Sequence, residues 1–167
     1  MATSAFARSA KAARWKRSKS AHVASEARAL IAKGLGLLGS ACVHLGEIEQ
    51  AEEVFRIGIQ YAQEGMAAAE LFRRLGEALL LNDRPGEAIG PLRRALAFGG
   101  LPQEVLPPLA RAFIKRSRYV AAFACLKDAL AAGASEKDLA DDIREVEAKL
   151  GPPLTAWKAK LVTEKAS

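Results

Sequence analysis

Chemistry-bearing side chains are scarce in this chain. Its 167 residues include only two cysteines, two histidines, two tryptophans and two tyrosines. Cys42 and Cys125, with His22 and His44, supply neither a disulfide framework nor ligands spaced for zinc. No metal and no cofactor is therefore expected, and a reducing cytoplasm fits best. Long apolar runs are missing too. The charge-free stretch 34–43, bounded by Lys33 and His44, has ten residues, well short of the roughly 20 a spanning helix needs. Residues 21–32 are broken by His22, Glu26 and Arg28, so no secretory signal is expected. Acidic residues are absent from the first 25 positions, which carry Arg8, Lys11, Arg14, Lys16, Arg17 and Lys19. Those six cations equal the net charge of +6, so the remainder of the chain is neutral.

Half of the residues are apolar, enough for one domain with a single core. From about Glu26 to Leu150, Ala, Leu, Glu, Arg and Lys dominate, and apolar positions recur at intervals of three and four. That pattern predicts helix throughout, with no convincing strand. Punctuation at Gly46, Glu64-Gly65, 82–86, 99–102, 116–118, 133–135 and 151–153 cuts it into pieces of ordinary helix length.

The pieces repeat. Leu35, Leu38, Gly39, Cys42, Ala51, Phe55 and Gly58 are followed at the same offsets by Phe72, Leu75, Gly76, Leu79, Ala88, Leu92 and Ala95, and again by Leu106, Leu109, Ala110, Phe113, Ala122, Leu126 and Ala129. Large, large, small, large makes an apolar stripe with a notch, where a second helix can approach closely. Neither helix of a pair can bury its stripe alone, so each hairpin must cover its neighbour. After the third unit, Ser135 with Asp138 reads as a capping box, with Leu139, Ile143, Val146 and Leu150 as the stripe of a lid and Gly151-Pro152 as its stop. Gly90-Pro91 predicts a modest kink in the second helix of the second unit.

Phe72-Arg73-Arg74-Leu75-Gly76-Glu77-Ala78-Leu79, and the turn Gly46-Glu47-Ile48-Glu49-Gln50-Ala51, resemble the tetratricopeptide repeat (TPR) family over about residues 32–134. The departures include Leu35 and Leu106 at the aromatic position, Cys42 in place of Tyr, a three-residue excess between units one and two, and no Pro ending any repeat. The expected fold is all-α: a TPR-like α-solenoid of three helical hairpins plus a C-terminal capping helix. Residues 1–25 are expected to be a disordered basic arm and 26–151 the repeat domain. Its units lie at about 26–64, 67–99 and 104–134, with the cap at 135–151. A short tail helix or loose terminus is expected at 152–167, where Leu154, Trp157 and Leu161 share a face. Three repeats and a cap also match the size of TPR-type secretion chaperones.

The resemblance implies a protein-protein interaction module, an adaptor or chaperone, whose first helices wall a concave groove for an extended or helical peptide segment. Carried onto this sequence, the wall positions are Lys33, Gly36, Ser40, Val43, Glu70, Arg73, Glu77, Leu80, Arg111, Ile114 and Lys115. Val43, Leu80 and Ile114 would form an apolar strip. Arg73, Arg111 and Lys115 would flank it and favour an acidic partner segment. Gly36 and Ser40 do not provide the Lys and Asn of a carboxylate clamp. No enzyme is expected. Residues 34–39 spell G-x-G-x-x-G without the preceding strand a dinucleotide loop requires, and neither cysteine has a sequence-adjacent base.

The arm has three readings: a solvated tail, an organellar presequence, or a contact with nucleic acid or an anionic membrane surface. Its charges fall nearly all round a helical wheel, unlike an amphipathic membrane helix. Trp15 among Arg14, Lys16 and Arg17 could stack on a base or sit in a headgroup region. Homodimerisation is left open.

Overall fold

The computed structural model describes residues 2–62 and 65–151, with side chains from Arg14 onward except that of Lys16. The tail expected at 152–167 lies outside the described residues. Among those described there are seven helices and no strand: α1 Ala2–His44, α2 Ile48–Tyr61, α3 Met66–Leu81, α4 Pro85–Ala97, α5 Pro102–Lys115, α6 Tyr119–Ala131 and α7 Ala140–Leu150. Each helix packs against the next, and α1 with α3, α3 with α5, and α5 with α7 also touch. The chain is thus a row of hairpins in sequence order, with α1, α3, α5 and α7 in contact along one side.

Local chemistry explains the boundaries. Pro85 and Pro102 open α4 and α5, where a missing amide costs no hydrogen bond and φ is already helical. Each hairpin closes on the same three-residue turn. The Glu47 amide donates to the Cys42 carbonyl at 2.9 Å, that of Arg84 to Leu79 at 2.8 Å, and that of Arg118 to Phe113 at 2.8 Å. The central residue of each turn has positive φ: Gly46 at 79°, Asp83 at 52° and Ser117 at 56°. This arrangement satisfies the last helical carbonyls and reverses the chain.

The repeated positions form the core. All seven are buried in the second and third units, and Gly39, Cys42, Ala51, Phe55 and Gly58 are buried in the first. Leu35 is only half-buried and Leu38 is 52% exposed. Their counterparts, Phe72 and Leu106 for Leu35 and Leu75 and Leu109 for Leu38, each have an earlier hairpin to pack on, whereas no described element precedes the first unit.

Three expectations are corrected. Residues 2–25 belong to the single helix α1 instead of a disordered arm. They are rich in Ala, Lys and Arg, which favour helix, and they extend a helix whose far end is already held by packing, so no new nucleus is required. The lid helix begins at Ala140, not at Ser135, because residues 136–139 form a turn that buries Leu139 and offers no side-chain cap. Ile143 and Val146 of its stripe are buried, but Leu150 is exposed. Pro91 lies inside α4, where the sequence placed it.

Candidate functional site

The side formed by α1, α3 and α5 carries two adjoining cavities. The larger, about 850 Å³, has a mainly apolar lining that includes Ala32, Gly36, Met66, Ala67, Leu71 and Leu101, with Lys33, Glu70, Arg73, Arg74 and Glu104 among its polar groups. The smaller, about 250 Å³, is lined by Ser40, Val43, His44, Phe55, Ala78 and Leu81, together with Arg73, Arg74 and Glu77. Arg73 and Arg74 border both.

Spacing on α3 creates this polar ridge, because residues three and four apart stand on one helix face. Arg73 donates from Nε and Nη2 to the Glu70 carboxylate at 2.8 and 2.7 Å, and from Nη1 to Glu77 Oε1 at 2.6 Å. Glu104 of α5 lies 4.0 Å from its Nε. Arg74 donates to Glu70 at 2.5 Å and reaches across to the Ser40 hydroxyl of α1. Ser40 in turn donates to the Gly36 carbonyl at 2.8 Å. One ridge therefore ties α1, α3 and α5 together.

Its two carboxylates differ. Burial raises the pKa of Glu70, but the two guanidiniums outweigh it and hold the carboxyl below its ordinary range. For Glu77, burial dominates and Arg73 offsets only part of it, so that pKa is raised. Neither arginine is a free cation awaiting an acidic ligand.

The expected site residues divide in two. Lys33, Gly36, Glu70 and Arg73 line the large cavity, and Ser40, Val43, Arg73 and Glu77 the small one. The rest do not join them. Arg111 donates to Asp142 of α7 at 2.8 Å, and Lys115 to Asp83 of the α3–α4 turn at 2.8 Å. Leu80 is half-buried against the core, and Ile114 is 7% exposed within it. The strip of Val43, Leu80 and Ile114 therefore does not form an open surface. Helix α5 is touched by both α3 and α7, which leaves Ile114 as core.

Sequence reasoning missed Arg74, Glu104, Met66, Leu71 and Leu101. Arg74 was legible as a partner of Glu70 four residues earlier. Leu101 and Met66 sit at helix starts, where the inter-hairpin links decide their direction.

A comparison with protein-family models and with curated proteins finds no significant match.

Other chemistry is sparse. Cys125 is half-buried and its thiol is pushed up to about 11 by burial and then by Asp128, against a smaller opposing effect of Arg93. It is a packing thiol, not a nucleophile at neutral pH. Among the described residues, no cluster of His, Cys, Asp or Glu could hold a metal ion, and no helix is long and apolar enough to cross a membrane. The described side chains of residues 14–31 are all exposed, and apart from Ala29 at the edge of the large cavity this part of α1 stands off the body. Lys19 Nζ lies 4.7 Å from the Trp15 ring centre, and His22 is 3.2 Å from Glu26.

Proposed function

We propose that this chain is a protein-binding module of TPR-like architecture, an adaptor or chaperone, that holds a peptide segment of another protein against α1, α3 and α5. One observation carries the reading: the cavity of about 850 Å³ between three successive first helices, apolar in its floor and polar at its ridge. An open cavity of this volume suits a few side chains of a peptide, and the apolar lining supplies affinity. Because Arg73 and Arg74 already pair with Glu70 and Glu77, the anchors of the partner are apolar, and acidic complementarity is secondary. Lys33 adds one exposed positive charge at the rim.

The test is selection of peptides from a display library on the full chain, followed by affinity measurement on Ala67→Glu. Ala67 lies in the first turn of α3 and lines the cavity, where a carboxylate suits the helix dipole and preserves the fold. Binding should weaken at least about tenfold, which corresponds to 1.4 kcal/mol. Val120→Glu, on exposed α6 surface, should leave it unchanged. Equal affinity in Ala67→Glu would place the site elsewhere.

A second reading concerns the arm. Six cations before Glu26, on a helix that stands off the body, suit a polyanion such as nucleic acid. Their all-round distribution disfavours a membrane surface. Binding through this helix should fall steeply between low and moderate salt, unlike apolar capture in the groove.

A further inference from the structure

The face of α1 directed away from the body is apolar and uncovered. Val23 is 59% exposed, Leu30 71%, Ile31 44%, Leu37 63%, Leu38 52% and Leu45, in the following turn, 74%. Ala27, Gly34 and Ala41 on the same face are also exposed. Residues 23, 27, 30, 34, 37 and 41 follow alternating steps of four and three, the spacing of a coiled-coil seam. Lys33 and Gly36 turn instead toward the groove, and Leu37 stands at the edge between the groove and this face.

The order of residue sizes along this face is palindromic about Gly34. Three residues either side stand Ile31 and Leu37, and four either side stand Leu30 and Leu38. Seven either side stand Ala27 and Ala41, and eleven either side Val23 and Leu45. A two-fold axis through Gly34 would place Leu30 of one chain beside Leu38 of another, Ala27 beside Ala41, and Val23 beside Leu45. The small residues would allow close approach of the backbones at the axis and one seam repeat on either side. A Cβ added at Gly34 meets nothing within 4 Å, so packing inside the chain does not account for glycine there.

Charge agrees with the same pairing. In an antiparallel pair the basic start of α1 runs past the end of α1 in the second copy and toward its exposed Glu47 and Glu49. The carbonyl end of that helix also favours cations.

We infer that this chain forms a two-fold homodimer through antiparallel pairing of α1 centred on Gly34, an interface that meets the peptide groove at Leu37. Light scattering on the full chain at tens of micromolar should give twice its mass of 17.8 kDa. Gly34→Arg, at a position open to solvent in the single chain, should keep helicity and melting temperature while weakening association at least about a hundredfold. Orientation is read by a short thiol-reactive cross-linker in a Cys42→Ala, Cys125→Ala background. Chains carrying Ala27→Cys should join to chains carrying Ala41→Cys and neither to its own kind. A monomeric chain, a dimer unaffected by Gly34→Arg, or self-linking of Ala27→Cys would overturn the inference. If Gly34→Arg loses helicity, Leu30→Lys, at a side chain already 71% exposed, replaces it with the same expected result.

Discussion

The ring of Phe55 occupies the side of Gly39 where a Cβ would stand. Sixteen residues separate the two, and the same offset joins Gly76 to Leu92 and Ala110 to Leu126. In the second hairpin a Cβ at Gly76 would lie 2.5 Å from Leu92 Cγ. The notch read from the sequence as small among large is therefore filled by the large residue of the following helix, which sets how closely the two helices of a hairpin pack.

Gly76→Ala should accordingly destabilise the chain, although alanine is the better helix former. The propensity gain is about 1 kcal/mol, and overpacking against a fully buried leucine costs about 1 to 3 kcal/mol. Chemical denaturation should show a lower midpoint with an unchanged slope. A stabilised variant would show that Leu92 can move aside.

Ser117→Gly should stabilise. Ser117 holds φ at 56° in a turn where the first hairpin uses glycine, and a left-handed backbone costs a residue with Cβ about 1 kcal/mol. Its exposed side chain has little to lose. A gain of up to about 1 kcal/mol is expected, read as a higher melting temperature.

Glu52→Ala should weaken the joint between the first two hairpins. Glu52 is 2% exposed and accepts from Arg56 at 3.1 Å, Asn82 at 3.0 Å and Arg84 at 2.9 Å. Removing a buried acceptor that serves charged donors costs about 1 to 3 kcal/mol. Hydrogen exchange in α2 and in the 82–84 turn should quicken most.

The ridge should show opposite pH effects. The pKa of Glu70 is lowered in the folded chain, so its stabilisation is complete above the ordinary value of 4.5 and is lost as pH falls through the lower folded value. Glu70→Gln should therefore lower the melting temperature at pH 7, by an amount that shrinks in acid. The pKa of Glu77 is raised, so its ionised form is less favoured in the folded chain and stability from this group grows as pH falls through that raised value. Glu77→Gln should be neutral or stabilising at pH 7. Melts at pH 7 and at mildly acidic pH separate the two; like effects from both would refute the asymmetry.

Periodicity alone placed the seven repeated positions, because burial on a helix follows directly from a spacing of three and four. It also placed the turns, since Gly46, Asn82-Asp83 and Ser117 interrupt that spacing. The site was only partly legible. Lys33, Ser40, Val43, Glu70, Arg73 and Glu77 were found because they sit beside the stripe on helices that touch, yet Arg111, Lys115 and Ile114 share that register and serve α7, a turn and the core instead.

The sequence by itself determined an all-helical chain, its hairpin boundaries and its core, because those rest on contacts within a helix or between neighbours in sequence. Tertiary structure alone decided which groups lie free. Whether a guanidinium faces a ligand or an internal carboxylate, as with Arg73 between Glu70 and Glu77, depends on what stands opposite. The same holds for Leu38, exposed where Leu75 is buried, because no described hairpin packs against that side of the first unit.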